Sequence, residues 1–449
     1  MPTDLNNIET IVIVIMENRS FDHMLGYLSM PDYGRGRAPV EGLKCESSGP
    51  VCQWGPQFIV PGPYTPFRLP DPRAPLPGDP PHERININTQ ISPTKDAQGK
   101  WTFAMNGFVQ SYPGTVNVNG QDQPVVMGYF TGEDLPTYDF FADNFAICDH
   151  WFSCLPAGTQ PNRLMAMSGR SAIEKNTIVL PDQPLVYDWL TERGVKWRVY
   201  SEGLPFFTLM PSCLDKVLDK NLFRSFEQFD DDSVHEQDST FPQVIFVEPR
   251  YTNAPHVDTP HDDHAPSAVY GGQRFLMGVY AAVTANPDRW NKSVIIVTYD
   301  EHGGFFDHVP PLNITQVDAD AHYPQFQSTG VRVPAFVISP FVEPQQVFSQ
   351  ILDHTSILQL LGEKFGEGSY STFVDARKNA GIGSVSSVLT LPRGRPGPAP
   401  SLPDVTEGFT AQATPFDGMS QAFANGWEAL KAKDAVAARE LFPKLFGHF

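Results

Sequence analysis

The hydrophobic pattern of the 449-residue chain is a set of short, unalternating apolar runs separated by longer amphipathic or irregular stretches. Residues 11–16, 244–247, 294–299 and 333–339 are rich in Val, Ile and Phe, and residues 197–201 form a further β-type run. Runs of this length without alternation predict strands covered on both faces, as in a largely parallel sheet. Residues 271–285 read as an amphipathic helix leading into the run at 294, a βαβ-like unit. Residues 138–146, 159–168 and 353–361 also have helical composition. The fold class this predicts is α/β.

Three of the predicted strands end on carboxylates. The first runs into Glu17-Asn18-Arg19-Ser20-Phe21-Asp22-His23, and the strand at 244 into Glu248-Pro249. The strand at 294 runs into Asp300-Glu301-His302-Gly303-Gly304-Phe305-Phe306-Asp307-His308. In open α/β sheets, ligands collect beyond the carboxyl ends of the strands. Successive strand residues face opposite sides, so Asp300 and Glu301 share a ligand only if the chain leaves the strand, which Gly303-Gly304 permits. Read as structure alone, these are polar loops, and Asn18 or Ser20 caps a helix starting near Phe21.

Thr159 has N-cap composition: Gly158 before it, Pro161 two residues later, and an apolar helical run closed by Gly169. A hydroxyl at a helix N-terminus meets free N–H groups and the positive end of the dipole, which bind phosphate and stabilise an alkoxide. His256, Asp258, His261, Asp262, Asp263 and His264 make a dense acidic and histidine run. Asp353 and His354 either reach the same region or cap the helix that follows. His82 lies in a Pro- and Gly-rich stretch, 30–125, which reads as an ordered insertion shaping a pocket. Pro72, Pro75, Pro77, Pro80 and Pro81 argue against helix there.

Residues 1–390 form the expected main domain, 391–405 a Pro/Gly linker and 406–449 an accessory helical extension. Phe423, Trp427 and Leu430 fall at i, i+4 and i+7 of one helix through residue 442. That stripe would dock on the main domain or on a neighbouring subunit, making a homo-oligomer.

Hydrophobic content of 41% and charged content of 18% allow a large core. The formal net charge of −19 excludes nucleic acid as the main partner and offers nothing to an anionic membrane. An anionic substrate therefore needs a locally positive site, such as a metal. Cys45, Cys52, Cys148, Cys154 and Cys213 contain no CxxC pair, which argues against a thiolate zinc site. Cys45 and Cys52 would pair in an oxidising compartment, while the odd total fits reduced thiols equally well. The first apolar run is too short for a membrane span or a signal core, so as written the chain is expected to be cytoplasmic, or secreted or periplasmic if a leader has been removed.

Three segments together resemble the bacterial phospholipase C / acid phosphatase phosphoesterase family of the alkaline phosphatase superfamily. They are Glu17-Asn18-Arg19-Ser20-Phe21-Asp22-His23, Thr159-Gln160-Pro161-Asn162-Arg163 and Thr298-Tyr299-Asp300-Glu301-His302-Gly303-Gly304-Phe305-Phe306-Asp307-His308-Val309-Pro310-Pro311. Asp262-Asp263-His264 and Asp353-His354-Thr355-Ser356 resemble further family positions, and Met24-Leu25-Gly26 departs where an aromatic residue often precedes the glycine. The resemblance implies a three-layer αβα sandwich with a mainly parallel central sheet and metal-assisted transfer of a phosphoryl group. It implies Thr159 as nucleophile, His264 and His82 as phosphate-contacting or acid groups, and Glu17, Asn18, Asp300 and Glu301 around one divalent ion. Asn18, Asp263, His302 and His354 would contact substrate, a phospholipid or a small phosphomonoester.

The residue types suit that chemistry. A threonine hydroxyl is a weak nucleophile that needs activation, which a divalent cation supplies while neutralising phosphate oxygens. Oxygen donors favour Ca²⁺, Mg²⁺ or Mn²⁺, and zinc returns if histidines enter the ligand set. Thr159-x-Pro161-x-Arg163 also has the spacing of the sulfatase nucleophile motif, but that motif needs a Cys or Ser, and threonine would give a ketone at best. A non-catalytic, metal-stabilised binding protein of the same fold is the reading from a different class.

Overall fold

The computed structural model describes residues 3–45, 52–255, 257, 259–314, 326–403 and 418–446, so His256 and Asp258 lie outside the described residues. The central sheet has eight strands: β1 (Thr10–Met16), β2 (Ala146–Cys148), β3 (Trp197–Ser201), β4 (Phe223–Ser225), β5 (Val244–Glu248), β6 (Ser293–Tyr299), β7 (Ala335–Ile338) and β8 (Gln346–Phe348). Their spatial order is β4-β3-β5-β1-β6-β7-β2-β8. Every neighbouring pair is parallel except the two made by β7. β1 and β6 sit at the centre with every residue buried, which is why both read as continuous apolar runs. β2, β4 and β8 have three residues each, too few to show a period in sequence.

The helices used below are α1 (Phe21–Met24), α2 (Arg84–Ile91), α3 (Pro136–Asn144), α4 (Thr159–Ser168), α5 (Tyr270–Thr284), α6 (Thr355–Phe365), α7 (Gly418–Lys433) and α8 (Ala435–Leu441). Strand register shows which face each covers. Val14, Val297 and Phe336 lie side by side, and the Phe336 ring meets Tyr138 and Phe141 of α3, which packs with α5. Ile13 and Ile15 point the other way and share a small cavity with Arg163 and Met167 of α4, which packs with α6. Two helical layers therefore enclose the sheet, as an αβα sandwich requires.

The insertion contains one element that its prolines seemed to forbid. Residues 72–81 are irregular, but α2 starts at Arg84, three positions past Pro81, where donors are free again. The C-terminal helix is likewise two helices. Asp434 has extended backbone and accepts from the Val436 and Ala437 N–H groups at 3.0 Å, so it caps α8 and ends α7.

The apolar stripe of α7 meets this chain's own main domain. Phe423 packs 5.4 Å from Tyr251 and 6.0 Å from Phe206, ring to ring. A Cβ at Gly426 would lie 2.9 Å from the Thr208 carbonyl oxygen, so the glycine permits the close approach. Of the two partners expected for this stripe, it meets the main domain. The linker also lies along the domain, with the Arg395 N–H donating to the Pro340 carbonyl and the Tyr280 hydroxyl to that of Pro400, both at 2.8 Å. Cys45 and Cys52 form a disulfide with Cα atoms 5.1 Å apart, and Cys148, Cys154 and Cys213 are free and buried. Among the described residues, no helix is long and apolar enough to cross a membrane.

A buried polar knot ties together the segments that follow β1 and β6. Arg332 donates through Nε to Asp307 Oδ1 (3.0 Å) and through Nη2 to Asp22 Oδ1 (3.1 Å). His308 sits between Asp22 (2.7 Å from Nδ1) and Glu41 (3.0 Å from Nε2). Burial would lower the His308 imidazole, but the Asp22 charge and the hydrogen bonds to Asp22 and Glu41 outweigh it and raise it to about 9. A folded-state value above that of the unfolded chain gives stability that is full below about pH 6.5 and is lost as pH rises through about 9. The His308 contribution to the unfolding free energy, read in urea as wild type minus His308→Gln, should fall by on the order of 3 kcal/mol between those limits. His308→Gln should be less stable at the acidic end, and the gap to wild type should close as pH rises through about 9.

Candidate active site

Two turns meet at the carboxyl ends of β1 and β6. Asn18 adopts φ +63° and Gly303 φ +64°, and a Cβ on Gly303 would fall 2.1 Å from the Asn18 carbonyl oxygen. Only glycine lets the two turns touch. The Gly303 N–H then donates to Glu301 Oε2 at 2.8 Å, which folds that carboxylate back over its own strand end. Asp300 Oδ1 accepts from the Asn18 and Glu301 N–H groups at 3.1 and 2.7 Å. Glu17, Asn18, Asp300 and Glu301 are all buried.

The Asn18 amide is oriented by its neighbours. Its nitrogen donates to Asp300 Oδ1 (2.9 Å) and Glu301 Oε1 (3.0 Å), and its oxygen accepts from His82 Nε2 (3.3 Å) and His264 Nε2 (2.9 Å). The opposite orientation would set oxygen against two carboxylates. Thr159 Oγ1 lies 3.4 Å from the amide atom that faces those carboxylates. Thr159 is the first residue of α4, and Gly158, not Thr159, is the N-cap. The threonine side chain is therefore not spent on capping.

Arg163, one turn into α4, reaches the same carboxylates. Its Nη2 donates to Glu17 Oε1 at 3.1 Å, its Nε lies 3.6 Å from Asp300 Oδ2, and its Nη1 donates to the Tyr251 hydroxyl at 3.1 Å. The guanidinium lies over both Phe206 and Tyr251, 4.7 and 5.0 Å from their centroids, the two rings that Phe423 covers. Glu17 is held on its other side by His264 Nδ1 at 3.1 Å. Glu17 is thus drawn toward Arg163 and His264, while Asn18, Asp300 and Glu301 share a common point.

The electrostatics follow from burial. Burial, then the charges of Glu17 and Glu301, push the Asp300 carboxyl up to about 8 against the pull of Arg163. Burial also works against charge on Glu17, yet the His264 hydrogen bond and Arg163 hold it below the usual carboxylate range. Burial alone would lower His82, but Glu301 and Asp79 raise it to about 9. His264 is raised well above its usual value, because Asp79 and Glu17 override burial. Two imidazolium groups therefore stand over a carboxylate cluster. Asp79, 3.3 Å from His264 Nε2, was not singled out in the sequence, although it stands three residues before His82.

Three of the expected substrate contacts are turned elsewhere. Asp263 accepts from the Tyr138 and Tyr299 hydroxyls at 2.6 and 2.5 Å, while its carbonyl accepts from Arg19. His302 bonds Gln90 Oε1 at 2.8 Å and backs Glu301. His354 donates from Nε2 to the Asp300 carbonyl at 2.7 Å and accepts from the Trp151 indole, and burial holds it neutral, at about 4. These side chains hold the site from behind.

The donor set fits a hard divalent ion. Asp300 and Glu301 each bring a carboxylate oxygen to within 3.0 Å of the Asn18 amide nitrogen, a pair of hard oxygen donors, while both Glu17 oxygens are taken by Arg163 and His264. Mixed nitrogen and oxygen groups also lie close together, Asp79 with His82 and His264, and Glu17 with Asp262 and His264.

A hydroxyl at a helix start, set against carboxylates and buried cations at parallel strand ends, belongs to a hydrolase that handles an anionic ester. Known proteins narrow the class. A model of the Phosphoesterase family matches residues 8–367, so the chain belongs to that family and is a phosphoric ester hydrolase. It is 31% identical over 424 residues to non-specific phospholipase C3 of Arabidopsis thaliana, covering 86% of this chain and 74% of that protein. It is 30% identical over 413 residues to phospholipase C A of Mycobacterium tuberculosis, with 81% of this chain and 74% of the other covered. Among solved structures it is similar to a protein in the alkaline phosphatase superfamily from Vibrio parahaemolyticus, at 11% identity and TM-score 0.31 over 68% of this chain and 82% of the other.

Removing one partner of a buried pair leaves the other charge uncompensated. Arg163→Gln should therefore destabilise metal-free protein by roughly 3–5 kcal/mol in urea unfolding. An unchanged midpoint would show that Glu17 and Asp300 do not depend on this cation.

Proposed function

We propose that the protein is a metal-dependent phosphodiesterase of the phospholipase C type, acting through a phosphothreonine at Thr159. The observation that carries this reading is the Thr159 hydroxyl at the start of α4, 3.4 Å from the Asn18 amide that bridges Asp300 and Glu301. The names of the relatives, all phospholipases C, favour a phospholipid diester over a monoester. Glu17, Asp300 and Glu301 would hold the divalent ion, and Asn18, whose amide nitrogen faces two of these carboxylates, would contact the phosphate. Bound there, it supplies Lewis acidity to the hydroxyl and to the phosphate oxygens.

The chain's own groups do the rest. Thr159 Oγ1 attacks phosphorus, its proton leaving to water, and the bond from phosphorus to the alcohol oxygen breaks. That oxygen takes a proton from the imidazolium of His264 or His82, both charged near neutral pH. Water then attacks the phosphothreonine, the neutral imidazole takes the water's proton, and the bond to Oγ1 breaks, Oγ1 regaining a proton from solvent. The positive end of the α4 dipole stabilises the negative charge that develops. His354 and the Gly303 N–H fix Asp300 and Glu301. The Cys45–Cys52 bridge favours an oxidising compartment for this activity.

Thr159→Ala should abolish turnover of phosphatidylcholine while a divalent ion still binds by calorimetry, and Thr159→Ser should keep part of the activity. Acid-quenched wild-type enzyme should carry phosphate, with its head group, on the Thr159 peptide in mass spectrometry. Near wild-type rates in Thr159→Ala would instead mean direct attack by water. Chelation should stop turnover and re-addition of the ion restore it.

The proton donor can be separated from the second imidazole. Its replacement by alanine should slow release of an alkyl alcohol by roughly 10²–10⁴-fold. Release of p-nitrophenol, which leaves without a proton, should change far less. If neither His264→Ala nor His82→Ala shows that difference, the acid is another group.

A further inference from the structure

Two segments cross the outer side of the nucleophile turn. One is the start of α2, residues 82–85, and the other is the loop 174–179. A Cβ on Gly158 would touch the side chains of Asn176 at 3.3 Å and Glu83 at 3.5 Å, so these residues flank the turn that precedes Thr159. Asn176 Oδ1 accepts from the Gln160 N–H at 2.9 Å, and the Gln160 side-chain oxygen accepts from the Thr177 N–H at 2.7 Å. Arg84 and Glu174 pair from one segment to the other.

The inner sides of these segments hold the site, and their outer sides are apolar. Ile85 is 76% exposed, and Ile178 and Val179 are each 55% exposed. Among the described residues, six large aliphatic side chains are exposed, and three of them are these. Single exposed aliphatics are ordinary, whereas a group beside a catalytic turn marks a contact surface. The charges beside them cancel: Glu83 and Glu174 against Arg84 and Lys175. The chain as a whole carries −19. A neutral, apolar spot on an acidic protein suits a surface with no net charge and an apolar interior.

We propose that Ile85, Ile178 and Val179 form an interfacial face that seats the turn before Thr159 on a zwitterionic lipid bilayer. The proposal rests on the phospholipid reading of the same site. Side chains of this kind enter the boundary between head groups and acyl chains. A head-group phosphate at that depth lies beside the Thr159 turn, so the enzyme need not lift the lipid out of the membrane. The acidic remainder of the protein would stay in water and be repelled by an anionic leaflet.

The full-length protein is tested with phosphatidylcholine vesicles by co-sedimentation, and with soluble p-nitrophenyl phosphorylcholine for turnover. Replacing all three side chains with serine should lower the vesicle partition roughly tenfold or more. Turnover of the soluble ester should be unchanged, and turnover of vesicle lipid should fall with the partition. Ile85→Leu should keep both. An unchanged partition in the triple variant overturns the proposal, as does an equal loss on soluble and vesicle substrates. Equally tight binding to phosphatidylglycerol vesicles overturns the commitment to a zwitterionic surface. A variant that turns from dimer to monomer in sedimentation velocity makes the face a subunit contact, and the proposal fails. The substrate reading fails separately: the partition and its loss would then be seen with no hydrolysis of phosphatidylcholine.

Discussion

Burying several carboxylates at one end of a sheet is the constraint on which the rest of the molecule depends. Glu17, Asp300 and Glu301 end two adjacent central strands, and none is solvated. Like charges in a low-dielectric setting are tolerated only with counter-charge and fixed hydrogen bonds. The chain provides Arg163 from α4, His264 from the segment before α5 and His82 from the insertion. It provides main-chain donors from two turns that fit together only because residue 303 lacks a side chain. A second knot a few residues further along each segment, Arg332 with Asp22 and Asp307, repeats the solution.

Where the chemistry of a residue is local, the sequence was legible. β1, β5 and β6 have the predicted positions because buried parallel strands are apolar along nearly their whole length, and β3 has its place from its β-branched and aromatic residues. α4 begins and ends where Gly158, Pro161 and Gly169 place it. The glycine turn after Glu301 is where two adjacent glycines permit it, with φ +64° and +73°. What failed depended on partners distant in sequence. Asp263, His302 and His354 have the same residue types as the site, and nothing local shows that two tyrosines, a glutamine and a main-chain carbonyl occupy them. Arg163 stood in the quoted motif without a role, because its partners lie 146 positions away at Glu17 and across the sheet at Asp300.

The insertion shows the same limit at the level of elements. Its prolines exclude helix only where they stand, and α2 forms as soon as they stop. Its importance was legible only through His82. Yet it also brings Asp79 to His264 and Gln90 to His302, so it serves as the wall of the site. A region without periodicity can still be fixed when its polar groups are used one by one by a rigid scaffold.

The docking of α7 bears on how the protein is made. Met419 Sδ accepts from the Gln160 side chain, 259 positions earlier, and Phe423 closes over the rings on which Arg163 lies. During synthesis the sheet, α4 and both strand-end turns leave the ribosome long before α7 does. Until then Phe206 and Tyr251 stay open to water on the side that Phe423 later seals. The site is thus finished by one of the last helices to be translated, and a nascent chain stalled at the linker holds the carboxylates without that seal.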